Sequence, residues 1–564
     1  MKMRVEDIKR PYKDKVYSYP FLVSSYRDEK GRPAKKIIQK LSHLPEHAVE
    51  SLRIALNSEG KDKVVSLSSI QYENSLPFGD SWALWSIIEQ LGMVKALQRL
   101  PLHHQVAIYA SIIDRITNPK PYSKRALWDA FENSSLKRIR GMDDRICLSE
   151  WYEALDSLYI HQMAIQKELF SGDTNRMFLY DITSSYFEGT CCPLAEWGYD
   201  RDGKKGKKII IIGLLTNSEG RPLAIRAFKG NTSDQTTVVG QIKELKEEFG
   251  IQEVVFVGDR GMITSKRISE LESEDFEGVK YITALKREEM MRLVEESNHP
   301  IQLGLFDHTK LVEVTYNHRR YILCHNPLRA EEDRATRLRL LEKTEQKLLS
   351  IENRVTAGHL KKKDKIARRL YRWINKWKME RFFTVEYGDS LFQFSRNQEE
   401  IERYAVLDGC YVVTSNVDKQ QMEAQEIQER YKDLKYVEKA FRSMKVSDLF
   451  LRPIRHWSET RVRGHVFMCM LAYLVVWEVR NRLSPILQRN RVTKECEGDS
   501  LREVWDCLKQ ITIGRIKIVD TEFEQISNLT ERQLKILKLL RTPINQKAKD
   551  LCRYEKMGSE LKTC

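Results

Sequence analysis

The sequence predicts an α/β protein with a mixed central sheet, which a large insertion interrupts and which an N-terminal β-hairpin and a helical domain precede. Three observations lead to this fold class. Two short apolar runs end in an acid, at Asp181 and at Asp259, and such runs are typical of buried strands. Residues 66–170 repeat apolar side chains at intervals of three and four, which is typical of helices. A highly charged helical segment, 329–380, interrupts the pattern of the sheet.

Length, charge and cysteine content restrict the class of protein. A chain of 564 residues is too long for one hydrophobic core, and roughly three to four domains are expected. Lys and Arg number 95 against 80 Asp and Glu, a net charge of +15. This balance favours a polyanionic partner, nucleic acid before membrane, over a merely basic soluble protein. The ten cysteines form no C-x-x-C pair, which disfavours a zinc ribbon and suits a reducing cytoplasm.

The apolar segments do not predict a secreted or membrane-spanning protein. The N-terminal sequence MKMRVEDIKRPYKDK lacks the apolar stretch of a signal peptide. The longest apolar run, Val466–Trp477, is too short to span a bilayer and predicts a buried helix. We therefore expect the protein inside the cell, without a membrane partner.

The first two regions predict a hairpin followed by helices. In the N-terminal region 1–60, two β-rich runs flank the turn Asp28–Gly31, which indicates a β-hairpin. Region 61–172 is predicted to be a helical DNA-binding domain, although its basic residues fit an ordinary solvated surface as well: Lys120, Lys124, Arg125, Lys137, Arg138 and Arg140.

Region 173–287 supplies most of the predicted sheet. MFLYDITS is a short strand, and KKIIIIGLLTNSEGRPLAIRAFKG contains two strands around a turn. A helix over Thr236–Phe249, the strand of EVVFVGDRGM, the helix of SKRISELES and the strand of VKYITAL follow. The order β-β-β-α-β-α-β is the connectivity of RNase H-like folds, and the sequence therefore predicts an RNase H-like mixed sheet.

The second half of the chain interrupts and then completes this domain. Region 288–416 is predicted to be a mixed α/β insertion with a helical arm, and region 417–480 returns to the catalytic domain. One helix is predicted over 419–447, with an apolar stripe formed by Leu434, Val437, Phe441 and Met444. Region 481–564 is predicted to be mostly helical, with the strand-like piece ITIGRIKIV and no chemical signature.

Asp181 and Asp259 are candidate metal ligands. Each follows buried apolar residues, where a single acid is costly unless a ligand or partner compensates it. Phosphodiester chemistry needs a deprotonated nucleophile and a neutralised leaving oxygen, and two Mg²⁺ ions held by clustered acids supply both. An acid that caps a turn remains the alternative for each residue alone, and the pair favours metal ligation.

A third acid is expected from the helix over 419–447. Tyr431, Glu438 and Lys445 are spaced by seven residues, nearly two helical turns, and so lie along one face. Glu438 would complete the metal site, Lys445 would meet a phosphate, and Tyr431 would stack or hydrogen-bond near the cut strand. Without further information, a core-edge tyrosine and a solvated lysine fit this spacing better.

The chain resembles DDE transposases of the insertion-sequence "family four" superfamily, and its layout is similar to the long-chain branch of that group. The resemblance is strongest over 177–475. It is carried by a series of segments whose order and spacing are specific: LYDITSSYFEG, GYDRDG, GLLTNSEGRPL, FKGNTSDQTT, FVGDRGM, LDGCYVVTSN, YKDLKYVEKAFRSMK and LRPIRHWSETRVRGHVFM.

This resemblance implies cut-and-paste transposition by a dimer that binds two terminal inverted repeats and then target DNA, in the cytoplasm of a prokaryotic cell and at the nucleoid when bound. It implies two Mg²⁺ ions, which Mn²⁺ can replace, at Asp181, Asp259 and Glu438. The helix signature of the family has an Arg where this chain has Leu434; Lys435 is adjacent but points about 100° away on an ideal helix.

Several further residues are candidates for contact with DNA. We expect Tyr431, Lys445, Arg260 and Lys435 to contact DNA near the cut. Trp373 and Trp377 would either stack on a flipped base or pack on each other, and packing is the more common outcome of their spacing. Others fit either backbone contacts or structural roles: Lys204, Lys205, Lys207, Lys208, His456, Arg461, Arg463 and His465.

Three alternatives to an active transposase were weighed. A domesticated or inactive copy would bind DNA without cutting it, but all three acids are present. An RNase H-like nuclease without strand transfer would not need the N-terminal modules or the insertion. A helical scaffold without activity would leave the acids at the ends of strands unexplained.

Overall fold

The computed structural model describes most of the chain. The described residues are 2–12, 15–57, 70–139, 142, 146–170, 176–201, 203, 206–233, 237–238, 240, 242–243, 246, 248–249, 254–259, 263, 265–273, 276–295, 311–316, 319–447, 449–487, 500–518 and 521–543.

The strands follow one another in this order: β1 (Lys2–Tyr12), β2 (Lys15–Arg27), β3 (Pro33–Lys40), β4 (Ile70–Pro77), β5 (Met177–Tyr186), β6 (Ile209–Asn217), β7 (Pro222–Lys229), β8 (Val254–Gly258), β9 (Val279–Ala284), β10 (Leu311–Tyr316), β11 (Arg319–His325), β12 (Phe383–Gly388), β13 (Leu391–Arg396), β14 (Cys410–Ser415), β15 (Thr512–Ile518) and β16 (Thr521–Ile526).

The α-helices are α1 (Glu46–Asn57), α2 (Gly79–Gln90), α3 (Met93–Leu97), α4 (Leu102–Thr117), α5 (Lys124–Phe131), α6 (Leu148–Ile160), α7 (Gln162–Phe170), α8 (Ser265–Leu271), α9 (Arg287–Glu295), α10 (Pro327–Thr356), α11 (Lys363–Trp377), α12 (Gln398–Ala405), α13 (Ala424–Lys432), α14 (Leu434–Arg442), α15 (Glu459–Arg482), α16 (Leu501–Lys509) and α17 (Glu531–Leu539).

The chain divides into two compact units. The terminal unit is formed by 1–80, 506–537 and 543–564, and the central unit by 81–505 and 538–542.

Two small antiparallel sheets build the terminal unit, in the orders β1-β2-β3 and β16-β15-β4. The predicted hairpin is present as β2 and β3. Its turn is closed by the Asp28 carboxylate, which accepts hydrogen bonds from the backbone N–H groups of Lys30 and Arg32 at 3.0 and 2.7 Å. Gly31 completes the turn with a φ of +73°, which glycine adopts without strain. The strand predicted for ITIGRIKIV is β15, and β4 is its neighbour from the other end of the chain.

An eight-stranded mixed sheet forms the centre of the central unit, in the order β10-β11-β14-β9-β8-β5-β6-β7. Strands β5, β6 and β7 form an antiparallel meander, whereas β8 and β9 run parallel to β5. The five strands predicted for region 173–287 are therefore present. The helix predicted over Thr236–Phe249 falls on a stretch that is only partly among the described residues, and it stays a prediction.

The predicted insertion does not form a body apart from this sheet. Its strand β14 pairs antiparallel with β9, and β11 and β10 continue outward from β14. The insertion thus extends the sheet by three strands, and its mostly helical part, residues 327–405, lies between β11 and β14 in the sequence. We call these residues the arm. Its core is formed by side chains of α10, α11 and the β12–β13 hairpin.

The long apolar helix α15 lies within the core of the central unit. The buried helix predicted for the apolar run Val466–Trp477 is confirmed as part of α15. The whole helix, with 24 residues, is long and apolar enough to cross a membrane, but 83% of its most apolar window is buried inside the protein. It packs chiefly against α6, α4 and β7. Gly464 permits the closest approach, because a Cβ there would lie 1.9 Å from the carbonyl oxygen of Leu155 on α6.

The single helix predicted over 419–447 is divided in the structure. Helices α13 and α14 meet at Asp433, where the N–H of Tyr436 donates to the carbonyl of Asp433 in a tightened turn. A π-helical turn, Ser443–Ser447, then widens the end of α14. Of the predicted apolar stripe, Val437, Phe441 and Met444 are buried and Leu434 is half-buried.

Candidate active site

Asp181 and Asp259 occupy equivalent positions on neighbouring parallel strands. The last register pair of β5 and β8 is Tyr180 with Gly258, and the two aspartates are the next residues on their chains. The prediction that Asp181 ends its strand was wrong, because β5 continues antiparallel to β6 as far as Tyr186. Strand β8 ends at Gly258, so no β8 residue pairs with Asp181, and the sheet is open beside it.

The third predicted acid reaches the same opening. Helix α14 packs against β5, and Glu438 from this helix lines one cavity of about 470 Å³ together with Asp181 and Asp259. The full lining of this cavity is Asp181, Ile182, Thr183, Arg201, Asp259, Glu438, Phe441, Arg442, Lys445 and Arg452. Three carboxylates therefore share a cavity with four cationic side chains.

Asp181 is electrostatically frustrated in this position. Burial, with smaller contributions from the nearby carboxylates of Asp259 and Glu438, raises the pKa of the Asp181 carboxyl to about 7. The backbone N–H of Ile182, which donates to Asp181 Oδ1 at 2.8 Å, and the Arg201 guanidinium lower this pKa but do not outweigh burial. A cation in the cavity would favour the ionised form.

Tyr431 and Lys445 lie on either side of Glu438 along the helical segment. The Tyr431 hydroxyl donates a hydrogen bond to Asp259 Oδ1 at 3.3 Å. Lys445 belongs to the π-helical turn and is buried at the wall of the cavity. The spacing of seven residues therefore brings all three side chains to the aspartates.

Other predicted contacts lie elsewhere. Lys435 is exposed and outside the cavity lining; it pairs with Asp433 at 3.6 Å and lies over the Tyr436 ring at 4.9 Å. Arg260 lies outside the described residues, as do Lys204 and Lys205.

Arg201, Arg442 and Arg452 are cavity residues that the sequence reasoning missed. Arg201 is held by its backbone N–H, which donates to Ser184 Oγ at 3.0 Å, and by its guanidinium, which donates to the Ile182 carbonyl. The guanidinium carbon of Arg452 lies 6.0 Å from the centre of the Tyr186 ring. Arg201 and Arg452 fall within quoted motifs, GYDRDG and LRPIRHW, but nothing in those motifs alone indicated the cavity.

Side chains of helices α4 and α15 hold the segment before Arg452 in place. Arg115 of α4 is buried and donates to the carbonyls of Leu449 and Phe450 at 2.6 and 2.9 Å. The His465 ring nitrogen Nε2 lies 3.2 Å from the Leu451 carbonyl, and burial lowers the pKa of this histidine well below its usual value. The neutral ring with a proton on Nε2 is therefore the form that donates.

The predicted basic residues of the helical region differ in exposure. Lys124 is buried and donates to Ser111 Oγ at 2.7 Å, so its assignment to a DNA-contacting cluster was wrong. Lys120 and Arg125 are exposed, and Arg140 lies outside the described residues. Arg461 and Arg463 pair with Asp156 and Glu459, each at 2.7 Å, which favours their packing role.

The donor chemistry of the three carboxylates fits Mg²⁺, which prefers oxygen ligands. Within the described residues, no three His, Cys, Asp or Glu side chains are gathered closely enough to form a ready metal cage. The fit rests instead on the shared cavity and on the unfavourable burial of Asp181 beside two like charges, which a divalent cation would offset.

Comparison with known families identifies the chain. The model of the transposase DDE domain matches residues 175–475, which include both aspartates and Glu438. The model of the IS1634 family transposase N-terminal domain matches residues 5–65. The chain belongs to the DDE transposases, and its N-terminal region is similar to that of the IS1634 family. The resemblance found in the sequence is thereby confirmed, and the protein is a transposase of an insertion sequence.

Comparison with individual proteins adds little for this transposase. No curated protein shows significant similarity to it. Among solved structures, it is similar to the piggyBac transposase in a cryo-EM structure of a synaptic complex with hairpin DNA, with a TM-score of 0.36 and 8% identity over 77% of this chain and 79% of that chain. At that TM-score the likeness supports no conclusion about the transposase.

Proposed function

We propose that this transposase moves an insertion sequence by cut-and-paste transposition, through metal-dependent nicking and strand transfer at terminal inverted repeats. The observation that carries the proposal is the cavity in which Asp181, Asp259 and Glu438 meet four cationic side chains. Carboxylates suit divalent ions and cations suit phosphates, so the cavity combines the two requirements of phosphodiester chemistry.

The strand order supports an RNase H-like assignment for the catalytic sheet. Strands β7-β6-β5-β8-β9 combine an antiparallel meander with two parallel neighbours, as the predicted connectivity requires. In this arrangement the two acids follow the last residue pair between β5 and β8, and a helix packed on β5 adds the third.

Asp181, Asp259 and Glu438 are the residues that would hold two Mg²⁺ ions, or Mn²⁺ in their place. When bound, such ions lower the pKa of a water molecule and neutralise charge on a leaving oxygen. Tyr431 orients the Asp259 carboxylate through its hydroxyl. It is not assigned as a nucleophile, since strand transfer by a 3′-hydroxyl needs no covalent bond between protein and DNA.

The cationic side of the cavity would hold the phosphates on both sides of the cut. Lys445 lines the cavity, and we assign it a phosphate contact. The family signature has an Arg at the position of Leu434, which is half-buried and outside the cavity lining. Arg201 and Arg452 supply guanidinium groups at the cavity from other parts of the chain, and we assign them the phosphate contact that Leu434 cannot make.

A plasmid assay tests this function. The substrate would carry a marker between the two inverted repeats that flank the gene, and it would be incubated with the full-length protein, Mg²⁺ and a target plasmid. Excised linear marker and marker joined to the target would support cut-and-paste transposition by a dimer on paired ends. Specific binding to the repeats without any strand cleavage would contradict it and indicate a DNA-binding relic.

A further inference from the structure

The outer surface of the arm carries a concentration of positive charge that the catalytic cavity does not use. Residues 361–378 contain nine Lys and Arg and a single acid, Asp364. All nine cationic side chains are exposed. None of them takes part in an ion pair within the described part of the chain. Elsewhere in the arm, Arg329, Arg396 and Arg403 each pair with a glutamate or aspartate.

Helix α11 separates this charge from the core of the arm. Ile366, Leu370 and Ile374 are buried on one side of the helix. On an ideal helix at 100° per residue, five of the cations fall within an arc of about 100° that lies roughly opposite these residues. These five, Lys365, Arg368, Arg369, Arg372 and Lys376, form what we call the basic ridge. At 1.5 Å per residue, the ridge is about 16 Å long.

At one end of the ridge, cations from two helices converge on one aromatic ring. The Nζ atoms of Lys347 on α10 and Lys376 on α11 lie 5.1 Å from the centre of the Trp373 ring, and the Arg372 guanidinium lies 5.6 Å from it. Trp373 stacks on Trp377 with ring centres 5.6 Å apart. The tryptophan pair therefore packs on itself instead of awaiting a flipped base.

The three cations around Trp373 are held close together without a counter-charge from the ring. A tryptophan face attracts each cation but does not neutralise it, so the charges of Lys347, Arg372 and Lys376 still repel one another. Holding them near one ring limits the side-chain freedom that binding would otherwise remove. A polyanion bound along the ridge would relieve this repulsion, and the cationic side chains would lose little further conformational freedom on binding.

We infer that the basic ridge binds the phosphate backbone of duplex DNA outside the active-site cavity. A length of about 16 Å matches roughly five base pairs, given one phosphate charge per ~1.7 Å of duplex. Phosphate oxygens are alike at every base pair, so contacts from the ridge to the backbone position DNA without reading its sequence. The choice of DNA as the polyanion rests on the proposed function of the cavity.

The salt dependence of DNA binding tests the inference. The test variant is full-length protein with Arg368→Gln, Arg369→Gln and Arg372→Gln. The matched control carries Arg329→Gln, Arg396→Gln and Arg403→Gln, which removes the same charge from paired positions of the same arm. Both are compared with the parent protein on a long duplex that contains the inverted repeat and on a scrambled duplex, over a series of salt concentrations.

We expect the ridge variant to bind both duplexes more weakly, and its slope of log affinity against log salt to be smaller by about two to three, close to one for each lost phosphate contact. The control should keep the parent slope. A second variant, Lys365→Gln with Lys376→Gln, removes the other two cations of the ridge and should also reduce the slope. An unchanged slope in both basic variants, or an equal loss in the control, would overturn the inference.

The binding assay is carried out in a Glu438→Gln background without Mg²⁺, so it does not depend on catalysis. Cleavage by the parent protein is measured separately. If the parent cleaves and the slopes do not differ, the ridge inference alone fails. If the parent never cleaves but the slopes differ as expected, the proposed function fails and the ridge remains a DNA-binding surface.

Discussion

The Tyr431 hydroxyl donates a hydrogen bond to the Asp259 carboxylate at 3.3 Å, across 172 positions of the sequence. This bond joins α13, the helix that precedes the one carrying Glu438, to Asp259, the residue that follows strand β8. It fixes one carboxylate and brings an aromatic hydroxyl close to the expected scissile phosphate, which raises the question of whether Tyr431 itself attacks DNA.

Replacing Tyr431 by Phe should retain nicking. A hydrogen bond to an ionised carboxylate contributes about 1.5–3 kcal/mol, so we expect the rate to fall by no more than roughly two orders of magnitude. The measurement is the single-turnover nicking rate on an end duplex, with Tyr436→Phe as the control from the neighbouring helix. Complete loss of nicking, with a phosphotyrosyl adduct trapped in the parent protein, would identify Tyr431 as a nucleophile.

Divalent metal should stabilise the folded protein through the three carboxylates. Saturating Mg²⁺ in the absence of DNA is expected to raise the melting temperature by an amount of the order of a few degrees, because it binds the folded state alone. Asp181→Asn should abolish this shift. Without metal, Asp181→Asn should be no less stable to unfolding than the parent protein, because the substitution removes a carboxylate that is buried beside two like charges. An equal shift in both proteins would place the metal elsewhere.

Asp181 and Asp259 illustrate what the sequence could predict. Each is a single acid after a run of apolar residues, and parallel pairing of β5 and β8 then places them side by side. The spacing of Glu438 from Tyr431 and Lys445 follows helical geometry, but by itself it favoured a structural role, and the family resemblance was needed to indicate a catalytic acid. These features are local, or depend on strands whose pairing follows from their order.

Features that depend on contacts between residues far apart in the sequence were not predictable in the same way. Nothing local to Lys124 shows that α15 covers it, and its burial separates it from its exposed neighbour Arg125. Arg452 reaches the cavity because Arg115 and His465 anchor the segment before it. The pairing of β14 with β9 depends on tertiary contacts across the insertion, so the extended sheet could not be read from the strand patterns alone.

Replacing Arg115 by Met should impair cleavage more than DNA binding. The carbonyls of Leu449 and Phe450 would lose a buried charged donor, at a cost of about 2–3 kcal/mol of folding stability. The segment that carries Arg452 would then shift, so we expect a slower single-turnover rate with little change in duplex affinity. Arg125→Met, which removes an exposed arginine from the adjacent helix, is the control. Cleavage at the parent rate in a destabilised Arg115 variant would limit Arg115 to a structural role.

Burial of Lys124 should make stability depend on pH. Burial, followed by the charge of Arg115, lowers the pKa of Lys124 to about 7. In the unfolded chain this lysine keeps its proton up to about pH 10. Between these values the unfolded state binds more protons than the folded state, so stability rises with pH, by up to ~1 kcal/mol per pH unit.

Lys124→Met removes this dependence. The variant should be more stable relative to the parent at pH 6.5 than at pH 9.5, as measured by urea unfolding at several pH values. Lys120→Met, at an exposed position, should leave the pH dependence as in the parent. If the stability difference between Lys124→Met and the parent is constant across this pH range, Lys124 does not titrate in the folded protein.

The most direct test of the account is Mg²⁺-dependent nicking of a duplex that carries the inverted repeat flanking the gene. The parent protein and Glu438→Gln are compared, with Glu429→Gln as a control at an exposed glutamate of α13. The account predicts a nick at the repeat boundary with the parent and with Glu429→Gln, and a loss of at least about a hundredfold in rate with Glu438→Gln. Nicking by Glu438→Gln at the parent rate would contradict a catalytic centre built from Asp181, Asp259 and Glu438.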